Sequence, residues 1–250
     1  MKIAVISDIH GNLQALDAVL ENIKKENCDK IFCLGDLAMA GPQPNETINK
    51  IKELMKNGNF ELIQGNTDEY LGQNSDEMHQ IIAKANPIMA SAYNADRKVI
   101  SEENLEFLKN LPLQKNIEIN GVKILLVHGS PRANNENIFP EMPLEKIEEM
   151  LVGVGADLVF CGHTHQPCGY QTNTKQTVVN VGSVGRPLNE YPKACYLLLD
   201  VFEKTGEFFV EHKLINYDKE KASELLRQRD FDGAEKLAGM LISASERYPA

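Results

Sequence analysis

Residues 2–12, KIAVISDIHGN, constrain this 250-residue chain more than any other stretch. The apolar, mostly β-branched residues Ile3, Val5 and Ile6 predict a buried strand, which stops at Asp8 and His10 with Gly11 closing the turn. Side chains at i and i+2 of an extended segment point the same way, so Asp8 and His10 can grip one cation together. Open α/β sheets place their sites at the carboxyl ends of strands, and the rest of the chain repeats the arrangement.

The spacing predicts a helix over 12–26 (Leu16, Val19 and Ile23 on one face), a strand over 30–35 ending in Gly35-Asp36, a helix over 45–57, and a strand over 60–65 ending in Gly65-Asn66. The opening is therefore β-α-β-α-β. Residues 70–110 read as helical and less regular, with 76–90 a cap over the site. Asn120-Gly121 joins two strands, 114–119 and 122–127, as a hairpin. The second strand runs into His128-Gly129-Ser130, and ADLVFC runs into His163 and His165. Residues 131–142 form a loop over the site and 143–153 a helix. Strands follow over 168–173, 176–181, 194–202 and 206–213. A charged helical stretch over 218–246 has sparse apolar residues and is expected to pack on one edge. No linker or repeat interrupts this, so residues 1–250 are expected to form one domain, with 218–250 a helical segment packed on it.

Asp8, His10, Asp36, Asn66, His128, His163 and His165 all stand at strand ends. Taken singly each is ordinary: a lone histidine after a strand is usually a surface or core residue, and Asp36 reads equally as a helix cap. Five strands ending in such residues is a pattern that chance explains poorly. Seven ligands exceed the protein share of one tetrahedral ion and suit two cations with a carboxylate between them, as in sites that clamp both oxygens of an in-line displacement. Mixed imidazole and carboxylate donors favour Mn, Fe, Zn, Co or Ni over Mg or Ca, with Mn expected to serve in vitro.

A formal net charge of -10 argues against bulk binding to nucleic acid or an anionic membrane face. It does not oppose a small phosphorylated substrate, because bound cations dominate the local field. Five cysteines with no CxxC spacing read as reduced, buried thiols. The chain opens directly into a strand and has no apolar run long enough to cross a bilayer, so a cytoplasmic protein is expected. Oligomeric state has no signature in the sequence.

SDIHGN, LGDLAMAGP, GNTDE, VHGSP and CGHTHQP, in that order over residues 1–190, resemble the calcineurin-like metallophosphoesterases, in particular the small bacterial and archaeal phosphoesterases of that superfamily. The resemblance implies an α/β (α+β) fold, a four-layer αββα sandwich of two mixed sheets between helices. It implies Asp8, His10 and His165 on one metal, Asn66, His128 and His163 on the other, and Asp36 bridging. Asp36, Asn66 and His128 carry the catalytic roles. The implied activity is hydrolysis of small phosphodiesters or activated phosphomonoesters by a metal-bridging hydroxide. Alternatives are a protein or nucleotide phosphomonoesterase and, with less support, a non-catalytic metal-binding scaffold of the same fold. Many members carry histidine after the metal-binding asparagine, where it protonates the leaving oxygen. Thr67 stands there instead, so His79, a metal-bound water or a good leaving group must compensate. Arg132 could pair with a phosphate oxygen. Asn12 is a substrate-contact candidate as well as a helix cap. Asp68 is expected to bond locally, and NVGSVGRP (180–187) to form a tight turn laying Asn180 and Ser183 near the metal loops. Substrate selection is expected from 70–100 and 131–142.

Overall fold

A computed structural model describes residues 1–188, 191–203 and 205–243. Its strands are β1 (Lys2–Ile6), β2 (Lys30–Cys33), β3 (Phe60–Leu62), β4 (Lys115–Ile119), β5 (Val122–Leu126), β6 (Leu158–Cys161), β7 (Cys168–Gln171), β8 (Thr177–Asn180), β9 (Ala194–Val201) and β10 (Phe208–Ile215). They form two five-stranded sheets, ordered β10-β9-β1-β2-β3 and β4-β5-β6-β8-β7. Both are mixed. In the first, β1, β2 and β3 run parallel while β9 is antiparallel to its neighbours. In the second, β5, β6 and β8 are parallel and the two edge strands antiparallel.

Strand alternation builds the layers. Ile3 and Val5 face inward and meet Leu126, Leu158 and Phe160 of the other sheet, all fully buried or nearly so. Ala4 and Ile6 face the opposite way, into a core shared with helices α1 (Leu13–Lys25), α2 (Pro44–Met55), α3 (Asn66–Gln73), α4 (Asp76–Ala85), α5 (Pro87–Val99) and α6 (Glu102–Lys109). On the far side of the second sheet, Leu125, Val127 and Val159 pack on Ile147 and Met150 of α7 (Leu144–Met150). Helices, sheet, sheet and helix make the expected four-layer sandwich. Parallel strands need long return connections, and these carry the helices.

The irregular stretch 70–110 resolves into α3 to α6. Three of their starts have sequence causes: Ser75, Asn86 and Ser101 each accept backbone N–H bonds from the first turn that follows. The charged stretch at the end is two helices, α8 (Lys219–Arg227) and α9 (Ala234–Ile242), broken before Gly233 at φ 91°. Residues 244–246 of the expected run lie outside the described residues. The two helices do not lie along an edge: Leu226, Leu237 and Leu241 enter the same core as α1 and α5. The last strand runs two residues further than its pattern predicts, to Ile215.

A buried ion pair ties this C-terminal arm to the loop after β2. Asp96 on α5 is fully buried and meets Arg229 Nη2 at 2.5 Å. Its other oxygen accepts the Ala40 N–H at 2.8 Å, and Arg229 Nη1 donates to the Gly41 carbonyl at 2.8 Å. Removing one partner of such a pair strands a buried charge, at a cost of about 3–5 kcal/mol. Arg229→Ala should therefore lower unfolding stability by that order. Burial already holds the Asp96 carboxyl above its usual range, and loss of the guanidinium raises it further. The folded variant then binds the proton more readily than the unfolded chain, so its deficit should shrink as pH falls below neutrality. Urea titrations at two pH values check both the size and the sign.

Candidate metal centre

The ends of β1, β2, β5 and β6 and the start of α3 deliver the predicted ligands to one place. Asp8, His10, Asp36, Asn66 and His128 are buried, and His163 and His165 are half-buried. Asp36 Oδ2 lies 3.6 Å from His10 Nε2 and 3.4 Å from His128 Nε2, between the two rings. Asp8 Oδ1 lies 3.2 Å from His165 Nε2 and 3.9 Å from both His10 Nε2 and His128 Nε2. His10 and His165 bring their Nε2 atoms within 3.1 Å of each other, and His128 Nε2 is 3.1 Å from Asn66 Oδ1. The His163 ring stands edge-on to His128 with centroids 5.4 Å apart, and its backbone N–H donates to Asp8 Oδ2. Asp8, His10 and His165 can hold one ion, and Asp8, Asp36 and His128 can hold another.

Three observations show that this donor set fits divalent cations. Backbone carbonyls fix the other ring nitrogen of three histidines: His10 Nδ1 on Met39, His128 Nδ1 on Leu34 and His165 Nδ1 on Arg186, at 2.8–3.0 Å. A carbonyl acceptor requires N–H at Nδ1 and leaves Nε2 as a bare donor, the tautomer that metal-binding histidines are held in. Asp8 Oδ1 is buried without a hydrogen-bond donor in suitable geometry, a cost that a cation would remove. Finally, the carboxylates attract positive charge. Burial opposes a charged His128, yet Asp36 and Asp8 raise its pKa to about 10. Burial likewise opposes ionised Asp8, but His165 and His128 lower it to about 2. Asp36 falls well below the carboxylate range, its burial outweighed by His128 first, then His10 and His163. His10 goes the other way: burial, partly offset by Asp36, lowers it to about 3 and keeps it neutral.

The backbone is strained where it turns these side chains inward. Asp8, His10, Asp36, His163 and His165 all have φ between 47° and 67°. Asn, Asp and His visit this left-handed region more readily than most residues, but at a cost. Close packing holds them there. A Cβ on Gly162 would lie 2.2 Å from Ser7 Oγ and 2.5 Å from Asp8 Oδ2, and one on Gly185 would lie 1.7 Å from the Ile9 carbonyl oxygen. The 180–187 turn docks on β1 as expected: the N–H groups of Val184 and Gly185 bond the carbonyls of Ser7 and Asp8, and Ser183 Oγ donates to Asp8. Asn180 donates to Gly162 and Thr164.

Asp68 does more than cap its own helix. Its carboxylate accepts the N–H groups of Gly65, Asp36 and Leu37 at 3.0, 2.7 and 2.9 Å, tying the Asp36 and Asn66 loops together. Thr67 donates its hydroxyl to the Ala38 carbonyl and its N–H to Asp36 Oδ1. Asn12 is spent on structure, its oxygen capping Ala15 and its amide donating to the Gly185 carbonyl. Arg132 lies beside His128 on a cavity of about 250 Å³, but its guanidinium is paired with Glu136. The sequence reading passed over Arg186. Its carbonyl orients His165, and its half-buried side chain reaches Met89 of α5. Burial pulls its pKa down, and Asp36 and Asp8 hold it up. The arginine that closes the glycine-rich 180–187 turn, 21 positions after His165, was the available signal.

The fold recurs in known proteins. Residues 1–204 match the calcineurin-like phosphoesterase superfamily domain. The chain belongs to that superfamily. It is 36% identical over 239 residues to an uncharacterized protein of Methanocaldococcus jannaschii, covering 89% of this chain and 90% of that one. A hypothetical protein from Pyrococcus horikoshii OT3 superposes with TM-score 0.83 at 26% identity, over 97% of this chain and 98% of the other. A metallophosphoesterase from Sphaerobacter thermophilus does so with TM-score 0.75 at 26% identity, over 96% and 98%. As a superfamily member the chain carries a metal-dependent phosphoester hydrolase fold with candidate metal ligands in place. Among the described residues, no helix is long and apolar enough to cross a membrane.

Asp68→Ala removes an acceptor from three buried amides. Burial and the neighbouring Asp36 carboxylate push the Asp68 pKa up to about 7. Near neutral pH its three bonds therefore lie between the neutral scale of about 0.5–1.5 kcal/mol each and the charged scale of about 1.5–3 kcal/mol each. The variant should lose about 3–5 kcal/mol of stability and bind Mn²⁺ at least about tenfold more weakly, the scale of lost outer-shell support. Denaturant titration and metal competition measure the two effects.

Proposed function

We propose that the protein hydrolyses small phosphodiesters or activated phosphomonoesters at a centre of two divalent cations, of which Mn, Fe, Zn, Co or Ni suit the donors. The observation that supports this best is the convergence of imidazole Nε2 atoms on two buried carboxylates, with Nδ1 of three rings locked on backbone carbonyls. Asp8, His10 and His165 would hold one ion. Asn66, His128 and His163 would hold the other, and Asp36 would contact both. When bound, such a pair supplies an activated water and neutralises the phosphate oxygens.

The chain's own residues do the rest. Asp8 and Asp36 set the charge that draws the cations, and Asn66 adds a neutral donor, limiting negative charge before a phosphate arrives. The Met39, Leu34 and Arg186 carbonyls hold the rings in register. The Arg186 side chain, beside His163 and His165 on one cavity, can pair with a phosphate oxygen through its fork of donors. Thr67 cannot serve as the acid: an aliphatic hydroxyl is a poor acid near neutral pH, and this one already donates to the Ala38 carbonyl. Substrates whose leaving oxygen is stable without a proton, diester or monoester, are therefore favoured over alkyl esters, and this favours the activated-ester reading over a general phosphomonoesterase.

Asp36→Asn and His128→Ala should each lower kcat/KM by at least about three orders of magnitude, roughly 4 kcal/mol of transition-state stabilisation, with circular dichroism unchanged. With Mn²⁺ present, turnover of bis(p-nitrophenyl) phosphate should survive while β-glycerophosphate is left nearly untouched. Near-normal activity in either variant, or rapid hydrolysis of the alkyl ester, counts against the assignment.

A further inference from the structure

The C-terminal helix α9 ends up against the metal centre. A cavity of about 150 Å³ opens beside the cage, with His163, His165 and Arg186 on one side. Its opposite wall is Leu237, Met240 and Leu241 of α9, with Leu188. Positions 237, 240 and 241 are three and four apart, so they form one helix face. Glu235 and Lys236 are exposed. The few apolar residues of a charged stretch are thus concentrated where the chain meets its ligand loops. Leu237 and Leu241 are buried in the main core and Met240 packs against it, so the wall is fixed by the fold.

Metal ligation and phosphate binding need no apolar wall. We propose that this cavity seats the organic ester group of the substrate, a single aromatic ring or an apolar group of that size, with the phosphate turned toward the histidines and Arg186. The inference rests on the phosphoesterase reading above and names its substrate class. An engineered cavity of about 150 Å³ lined by apolar side chains in another protein takes up benzene, which sets the scale. That volume matches one ring more closely than a base with its sugar. Methionine suits such a wall, being polarizable and able to shift against a ring. The lack of an acid at Thr67 points to the same class independently. A phenol, with a pKa of about 10, leaves far more easily without a proton than an alkyl alcohol, which resembles water at about 15.7.

The test uses the Zn²⁺-loaded protein and two non-hydrolysable probes, phenylphosphonate and methylphosphonate. Calorimetry should find phenylphosphonate binding at least about tenfold more tightly, the scale of burying a ring's apolar surface. It should also shift the Met240 methyl signal in carbon-13 spectra of methionine-labelled protein. Met240→Phe fills the cavity and should bring the two affinities within about twofold. Met240→Leu, of similar volume, should keep the difference. Equal affinities in the unaltered protein, or a preference that survives Met240→Phe, overturn the pocket and leave the phosphoesterase reading standing. Tighter binding of adenosine monophosphate than of phenylphosphonate also overturns it. If zinc loads but neither phosphonate binds, the pocket and the broader reading fall together.

Discussion

Two carboxylates, Asp8 and Asp36, are buried at the meeting point of the two sheets and face the same imidazoles. Charges taken out of water are costly unless matched, and like charges at such range repel. The structure answers this with cation-seeking geometry. Rings are oriented so that Nε2 faces inward, and one carboxylate oxygen is left without a donor. The αββα scaffold gives a place where strands from both sheets can end together, and each ligand loop braces another. Asp68 holds the Asp36 loop to the Asn66 loop, and the 180–187 turn holds Asp8.

The strands and the ligands were legible for the same reason. A strand buried on both faces is a run of apolar residues, and a polar residue at its end has only a loop to occupy, so five interruptions of that kind mark five loops at the rims of the sheets. The Asn120-Gly121 hairpin was read from two residues. What stayed hidden depends on partners far apart in the chain. Asp96 and Arg229 are 133 positions apart, and neither carries a local sign that it is buried. The apolar positions of α9 looked too few to matter because nothing in their spacing says what they face. Positive φ at Asp8 or His163 has no sequence marker beyond the residue types themselves.

These hidden contacts join regions that the linear chain keeps separate. The segment around Arg229 grips the loop that carries Met39, whose carbonyl orients His10. Arg186 does the same for His165 and also lines the space under α9. Substrate selection was expected from 70–100 and 131–142. The first of these supplies Met89 against the Arg186 side chain, and the second supplies Arg132 beside His128. The far end of the chain contributes Leu237, Met240 and Leu241 to the cavity beside the cage.

The left-handed backbone at five of the seven candidate ligands narrows how this site can change over time. At such a φ Asn, Asp, His and Gly carry the smallest penalty, although Met39, Ala40, Glu141 and Lys175 adopt it too, and three of those four favoured types can still donate to a cation. Most single changes the local shape accepts therefore weaken the grip on an ion by degrees. Changes that would abolish it outright, to valine or isoleucine, would also break the loop. A sequence that lost cation binding here would keep asparagine or glycine at these positions at least cost to the backbone, and so keep the outline of the loops.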